Sequence, residues 1–215
     1  MPVVTWTIMV ACALVFFWQL ALGPHEGQLA VYSFGVIPAV LLEGVRLPPE
    51  LAVVPPVATV FTSMFLHGGW MHLLGNLLYL WIFGDNVEES MGHVRFVIFY
   101  LLCGVVAALA QAVPDPSSEV PMIGASGAIS GVLGAYLLLH PRARITVFIP
   151  LGLLSQIVHL PAIVVLGLWF LLQLVSNALQ PTGAAGVAFG AHIGGFVAGM
   201  LLVPLFKRRH VPLFR

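Results

Sequence analysis

Between Ile145 and Phe206 the chain carries not one Asp, Glu, Lys or Arg. A water-facing globule needs polar residues to cover its core, and this stretch has none that are charged to offer. It is also far longer than the roughly 20 apolar residues that one membrane-spanning helix requires. Gln180-Pro181-Thr182-Gly183 divides it, because proline and glycine end helices. Two spans are therefore expected here, at about 158–178 and about 188–205. The whole chain agrees: 60% of its residues are hydrophobic and 7% charged, against about 25% charged in a soluble domain. An all-α polytopic membrane protein is the expected class, with lipid as its solvent.

The remaining spans follow from the same logic. Residues 3–22 form the first; they lack the Lys or Arg that opens a signal peptide, so a retained span is expected in spite of a weak cleavage-like Ala21-Leu22-Gly23. Spans two and three are expected at about 71–90 and 95–113, separated from span four by the turn Pro114-Asp115-Pro116-Ser117-Ser118. Span four, about 126–140, is short, so one end must be recessed in protein or the bilayer thinned around it. The long first connection, from Gly23 to about Trp70, holds Pro24, Pro38, Pro48, Pro49, Pro55 and Pro56. A structureless loop of that length is improbable, and its apolar part, Leu29 to Leu42, is expected to lie in or on the membrane as short helices. The result is a single six-span domain over 1–215.

Basic residues set the orientation. Arg95, Arg142, Arg144, Lys207, Arg208, Arg209 and Arg215 fall on one side and only Arg46 on the other. Both termini are thus expected in the cytoplasm. There is no basic run with interleaved aromatics, so nucleic acid is not an expected partner. Cys12 and Cys103 read as small core hydrophobes, and Glu88-Glu89 as a solvated helix end.

With that topology spans two, four and six all run inward from the outer face, and three polar residues reach similar depth near it. His72 lies in the first turn of span two, Ser126 opens span four, and His192 is about one turn into span six. Ser126 sits in Gly124-Ala125-Ser126-Gly127. A serine at a helix start has free backbone N–H groups beside it, able to hold an oxyanion; the same pattern also suits a plain N-cap. Gly127 and Gly131, and Gly195 and Gly199, are spaced four apart, as small-residue helix interfaces are. Packed through them, spans four and six would bring His192 to Ser126. His192 can equally be polar glue between helices, although an ionisable residue within a span is a functional candidate by default. His72 and Asn76 share one helix face and both can donate hydrogen bonds. No carboxylate lies near His192, which points to a Ser–His dyad rather than a triad. Ser130, one turn below Ser126, is the alternative nucleophile. His67 and His72 lack the companions of a metal site, so no metal and no cofactor are expected. The five tryptophans read as interface or packing residues.

These residues fall in stretches that together resemble the rhomboid family of intramembrane serine proteases: His67-Gly68-Gly69-Trp70-Met71-His72-Leu73-Leu74-Gly75-Asn76, Phe83-Gly84-Asp85-Asn86-Val87-Glu88, Gly124-Ala125-Ser126-Gly127-Ala128 and Ala191-His192-Ile193-Gly194-Gly195-Phe196. The resemblance implies a six-helix bundle with a membrane-embedded first loop. It implies Ser126 as nucleophile, His192 as general base, and His72, Asn76 and the Ser126 amide as the oxyanion hole. It implies transmembrane segments as substrates, cut near the outer membrane face; separately, no transit peptide is seen, so a plasma membrane is expected. The sequence departs from some members in two places. Arg46 is followed by Leu47, without a Trp-Arg pair, and Ser130 stands where an aromatic residue stacks on the histidine. How His192 is held is left open. Two other classes remain. A non-catalytic rhomboid-like binder of transmembrane clients would typically lack the serine or histidine. A transporter is disfavoured by charge-free spans and the absence of repeats.

Overall fold

The computed structural model describes residues 1–149, 155–181 and 186–215. Helix α1 (Val3–Phe34) bends at Gly23, whose φ of 79° and ψ of 175° break the helix just before Pro24. The first apolar span thus ends where expected, but the chain re-forms helix at once. Two short helices follow, α2 (Pro38–Leu42) and α3 (Pro56–Thr62), each with proline in its first turn, where a missing N–H costs nothing. A 3₁₀ turn over Ser63–Phe65 completes the first connection. Its backbone is pinned to the loop before Ser126 by the Val36–Met122 bridge and by Ala39 N–H donating to the Ser118 carbonyl at 3.0 Å.

Among the described residues four helices are long and apolar enough to cross a membrane: α1, α5 (His93–Ala112), α7 (Ala162–Leu179) and α8 (Phe189–Phe206). Large side chains such as Leu14, Leu172 and Leu201 project outward from them, each more than 60% exposed, as lipid-facing residues would. Helix α4 (Trp70–Met91) is long but carries Asp85, Glu88 and Glu89 near its end. Helix α6 (Ser126–Leu139) has 14 residues, roughly 21 Å at 1.5 Å per residue, short of the ~30 Å hydrocarbon thickness. Every residue from Gly127 to Tyr136 is buried, so α6 is sheathed in protein rather than in lipid. Its last carbonyls are met by the C-terminal tail: Phe214 N–H donates to Leu138 O at 2.7 Å and Arg215 N–H to Leu139 O at 3.2 Å, which satisfies acceptors that a helix end leaves open.

The tightest seam joins α6 to α8. A Cβ on Gly195 would strike the Gly127 carbonyl, one on Gly199 the Gly131 carbonyl, and one on Gly134 the Phe196 carbonyl. Backbone therefore lies against backbone, an approach only glycine permits. Helix α5 closes the other side, with Cys103 and Ala107 against Gly131 and Gly127. Both cysteines are buried and free.

Two expectations need correction. The fifth span does not begin at Val158: residues 144–149 and 156–161 form an antiparallel hairpin, β1 (Arg144–Ile149) and β2 (Gln156–Pro161), with Thr146 opposite His159 and Val147 opposite Val158. The β-branched run Ile145-Thr146-Val147 favours strand, and Pro161 then opens α7. Glu88 is not a solvated helix end. It is 1% exposed and its carboxylate accepts from Val4 N–H (2.9 Å), Thr5 N–H (2.8 Å) and the Thr5 hydroxyl (2.7 Å). It caps the orphan donors at the start of α1, where the helix dipole favours an anion, and the His93 ring lies 2.6 Å from its other side. Of the two roles expected of the tryptophans, interface or packing, Trp169 takes the second, lying inward on His192 and Phe196.

Candidate active site

Ser126 is the first residue of α6, preceded by Ala125 at the cap position. Its N–H thus belongs to the first turn, which has no intrahelical acceptor. Gly124 holds φ at +122°, and a Cβ there would meet Nε2 and Cε1 of His72 at 2.6 and 2.7 Å. This glycine is needed twice, for its backbone angle and to let the His72 ring lie beside the start of α6.

The glycine seam delivers His192 from α8 to the same point. His192 Nε2 lies 2.8 Å from Ser126 Oγ. The opposite ring nitrogen, Nδ1, lies 2.8 Å from Gln173 Oε1 on α7. An amide oxygen can only accept, so Nδ1 carries the proton and Nε2 presents its lone pair to the serine hydroxyl. Trp169, one turn before Gln173, lies against the imidazole with ring centroids 6.0 Å apart. The structure thus answers how the imidazole is held without an aromatic residue at position 130: the support comes from α7. Neither Gln173 nor Trp169 was among the sequence candidates. A glutamine preceded by eleven apolar residues of α7 was the available signal, since such groups seek partners.

His72 is oriented by a similar device. Gly68 N–H donates to His72 Nδ1 at 3.2 Å, so Nδ1 is the acceptor and Nε2 bears the hydrogen, on the side facing Gly124 and Ser126. The edge of His67 packs against this ring with centroids 5.1 Å apart, and His67 is itself fixed by its N–H to Gln19 Oε1 at 2.9 Å. Asn76 is 7% exposed, and its Nδ2 makes no hydrogen bond among the described residues. A buried amide donor without an acceptor is costly and calls for an explanation. Here it lines the same cavity as Ser126, His72 and His192, a space of about 1000 Å³.

Ser130 lines this cavity too, but its hydroxyl donates to the Ser126 carbonyl at 2.7 Å, the back-bond typical of a helical serine. No group of three or more His, Cys, Asp or Glu suited to a metal ion occurs among the described residues. Gln111 on α5 accepts from Ala191 N–H at 3.2 Å, which steadies the first turn of α8 next to His192. The arrangement offers a hydroxyl in contact with an unprotonated imidazole nitrogen, and donors from two side chains and a helix start nearby.

A family model described as Rhomboid domain matches residues 55–209. The chain is similar to Rhomboid protease GluP of Bacillus subtilis, with 34% identity over 65% of this chain and 24% of that protein. It is similar to Rhomboid-like protein 11, chloroplastic, of Arabidopsis thaliana, with 30% identity over 68% of this chain and 51% of that protein. It is also similar to Rhomboid protein 1, mitochondrial, of Saccharomyces cerevisiae, with 29% identity over 66% of this chain and 40% of that protein. The chain thus spans about half or less of the length of these relatives. A match over most of the chain, covering every stretch in which the polar cluster lies, makes this protein a member of the rhomboid family.

Proposed function

We propose that this protein is a serine endopeptidase that cuts transmembrane segments of other proteins within the bilayer, near its outer face. The observation that carries the reading is the 2.8 Å contact between His192 Nε2 and Ser126 Oγ. Ser126 is the nucleophile and His192 its general base. The oxyanion partners are the Ser126 amide, His72 Nε2–H and Asn76 Nδ2–H. In this reading α4 and α6 are the two further spans, giving six in a single domain over 1–215, set in a plasma membrane with both termini cytoplasmic.

The reaction would run as an acyl transfer. Ser126 Oγ attacks the scissile carbonyl as His192 Nε2 removes its proton. Negative charge develops on the carbonyl oxygen, where preorganised donors matter most. The unpartnered Asn76 amide supports this role, because its desolvation has already been met before substrate arrives. His192 then protonates the leaving amine. A water deprotonated by His192 attacks the acyl-enzyme and frees Ser126. A helical substrate hides its carbonyls in i→i−4 bonds, so it must unwind at the cut. Substrates with Gly or Pro near that point are expected, as these are poor helix formers.

Reconstitution with a fluorescent transmembrane substrate tests the reading. Wild type and Ser130→Ala are expected to cleave, while Ser126→Ala and His192→Ala fall to background. Cleavage retained by Ser126→Ala would rule out this nucleophile. Stable capture of a transmembrane client by an otherwise inert wild type would favour a non-catalytic binder.

A further inference from the structure

We infer that Gln173 of α7 is a positioning residue, which sets the tautomer and ring orientation of His192 and ties readiness of the base to the seating of α7. The inference rests on the Ser126–His192 reading above.

Three observations carry it. First, Gln173 is the single polar residue among the buried ones of α7, with Ala162 and Leu166. A primary amide in this apolar setting must use its donors and acceptor locally. Second, both ends of the amide are engaged in a mutually consistent way. Its Nε2 donates to the Trp169 carbonyl at 3.3 Å, and its Oε1 lies 2.8 Å from His192 Nδ1. Rotating the amide by half a turn would set its oxygen against the Trp169 carbonyl and lose the only bond its nitrogen makes among the described residues. Two acceptors would then face each other at Trp169, so the oxygen is the end turned to His192. Third, among the described residues no carboxylate touches the imidazole. The groups closest to His192 are Ser126, Gln173, and the rings of Trp169 and Phe189. A neutral amide therefore occupies the place at Nδ1 that orients the base in a three-member relay.

The neutral acceptor has a consequence. It orients the ring without the charge that would stabilise a permanent imidazolium, which suits a site inside a low-dielectric protein. It also comes from the span with the smallest buried share: 17% of the most apolar window of α7 is buried, against 33% for α5 and α8. Ser126 and His192 are joined through the glycine seam, whereas the orienting acceptor arrives from a helix that faces lipid. Displacing α7 outward would open the cavity wall formed by Trp169 and Asn177 and would break the bond to Nδ1 in the same movement. The base would then be fully oriented only while α7 is seated.

The test compares Gln173→Met, which keeps length but lacks an acceptor, with Gln173→Glu, which keeps a carbonyl oxygen in place in either protonation state. Kinetics with a reconstituted transmembrane substrate should show kcat reduced about tenfold for Gln173→Met, the upper end for one ordinary hydrogen bond, with KM unchanged. Gln173→Glu should retain most of the wild-type kcat. Nitrogen NMR of histidine-labelled wild type should show His192 as the Nδ1–H tautomer, and Gln173→Met should show a mixture. An Nε2–H tautomer in wild type overturns the inference even if no variant folds. So does a Gln173→Met protein with wild-type kcat and an unchanged imidazole spectrum, while Ser126→Ala remains inactive. Cleavage that persists in Ser126→Ala or His192→Ala would instead defeat the proposed function, and the imidazole spectra would still judge Gln173.

Discussion

The α6–α8 seam and helix α7 are made of similarly apolar sequence, yet they are packed in opposite ways. Along the seam, glycines bring backbone onto backbone, so that no side chain intervenes between Gly127 and Gly195 or between Gly131 and Gly199. On α7, most residues face outward and few are buried. In lipid the hydrophobic effect does not distinguish these two helices; close packing and interhelical hydrogen bonds do. The seam fixes how far Ser126 is from His192. Helix α7 supplies what touches the far side of the imidazole and one wall of the cavity. Distance and orientation at the site are thus assigned to parts of the molecule with different mechanical character.

Three substitutions grade that contrast. Gly199→Ala adds a methyl against the Gly131 carbonyl and is expected to cost about 3 kcal/mol, at the upper end for overpacking since backbone must move. Its effect would appear as a lowered unfolding midpoint in bicelles together with loss of cleavage. Leu166→Ala removes a fully buried anchor of α7 and should cost about 2 kcal/mol, the lower end for such truncations, because lipid replaces part of the lost contact. Gly167→Ala lies one residue further along α7, where an added Cβ meets nothing within 4 Å. It should be neutral or stabilising by about 0.5–1 kcal/mol through helix propensity. Equal sensitivity at Gly199 and Gly167 in the same unfolding assay would erase the distinction drawn between the two regions.

Much of the architecture could be read from residue order alone, for identifiable reasons. Long apolar runs bounded by Pro114-Asp115-Pro116 and by Gln180-Pro181 leave little freedom in where spans begin and end, and α4, α5 and α8 start or stop within two residues of the expected points. That Ser126, His72 and His192 line one cavity was legible from the direction of their helices, a property of topology rather than of packing. What escaped was what depends on partners from elsewhere in the chain. Glu88 looks solvated in a local window, and only the folded bundle brings the start of α1 onto it. Strands β1 and β2 are nearly as apolar as a span: after Arg144 at the first position, neither carries an Asp, Glu, Lys or Arg to mark the alternation of its faces. Gln173 was passed over because α7 was judged by its hydrophobicity, although a lone buried amide is the group most in need of an explanation.

The most direct measurement of the central claim is the site of covalent modification by a mechanism-based serine inhibitor, such as a fluorophosphonate, mapped by mass spectrometry on the membrane-embedded protein. The account predicts an adduct on Ser126 in wild type and Ser130→Ala, and none in His192→Ala, since the hydroxyl beside His192 Nε2 is the one activated. An adduct on Ser130, or undiminished labelling of Ser126 when the imidazole is removed, would contradict it.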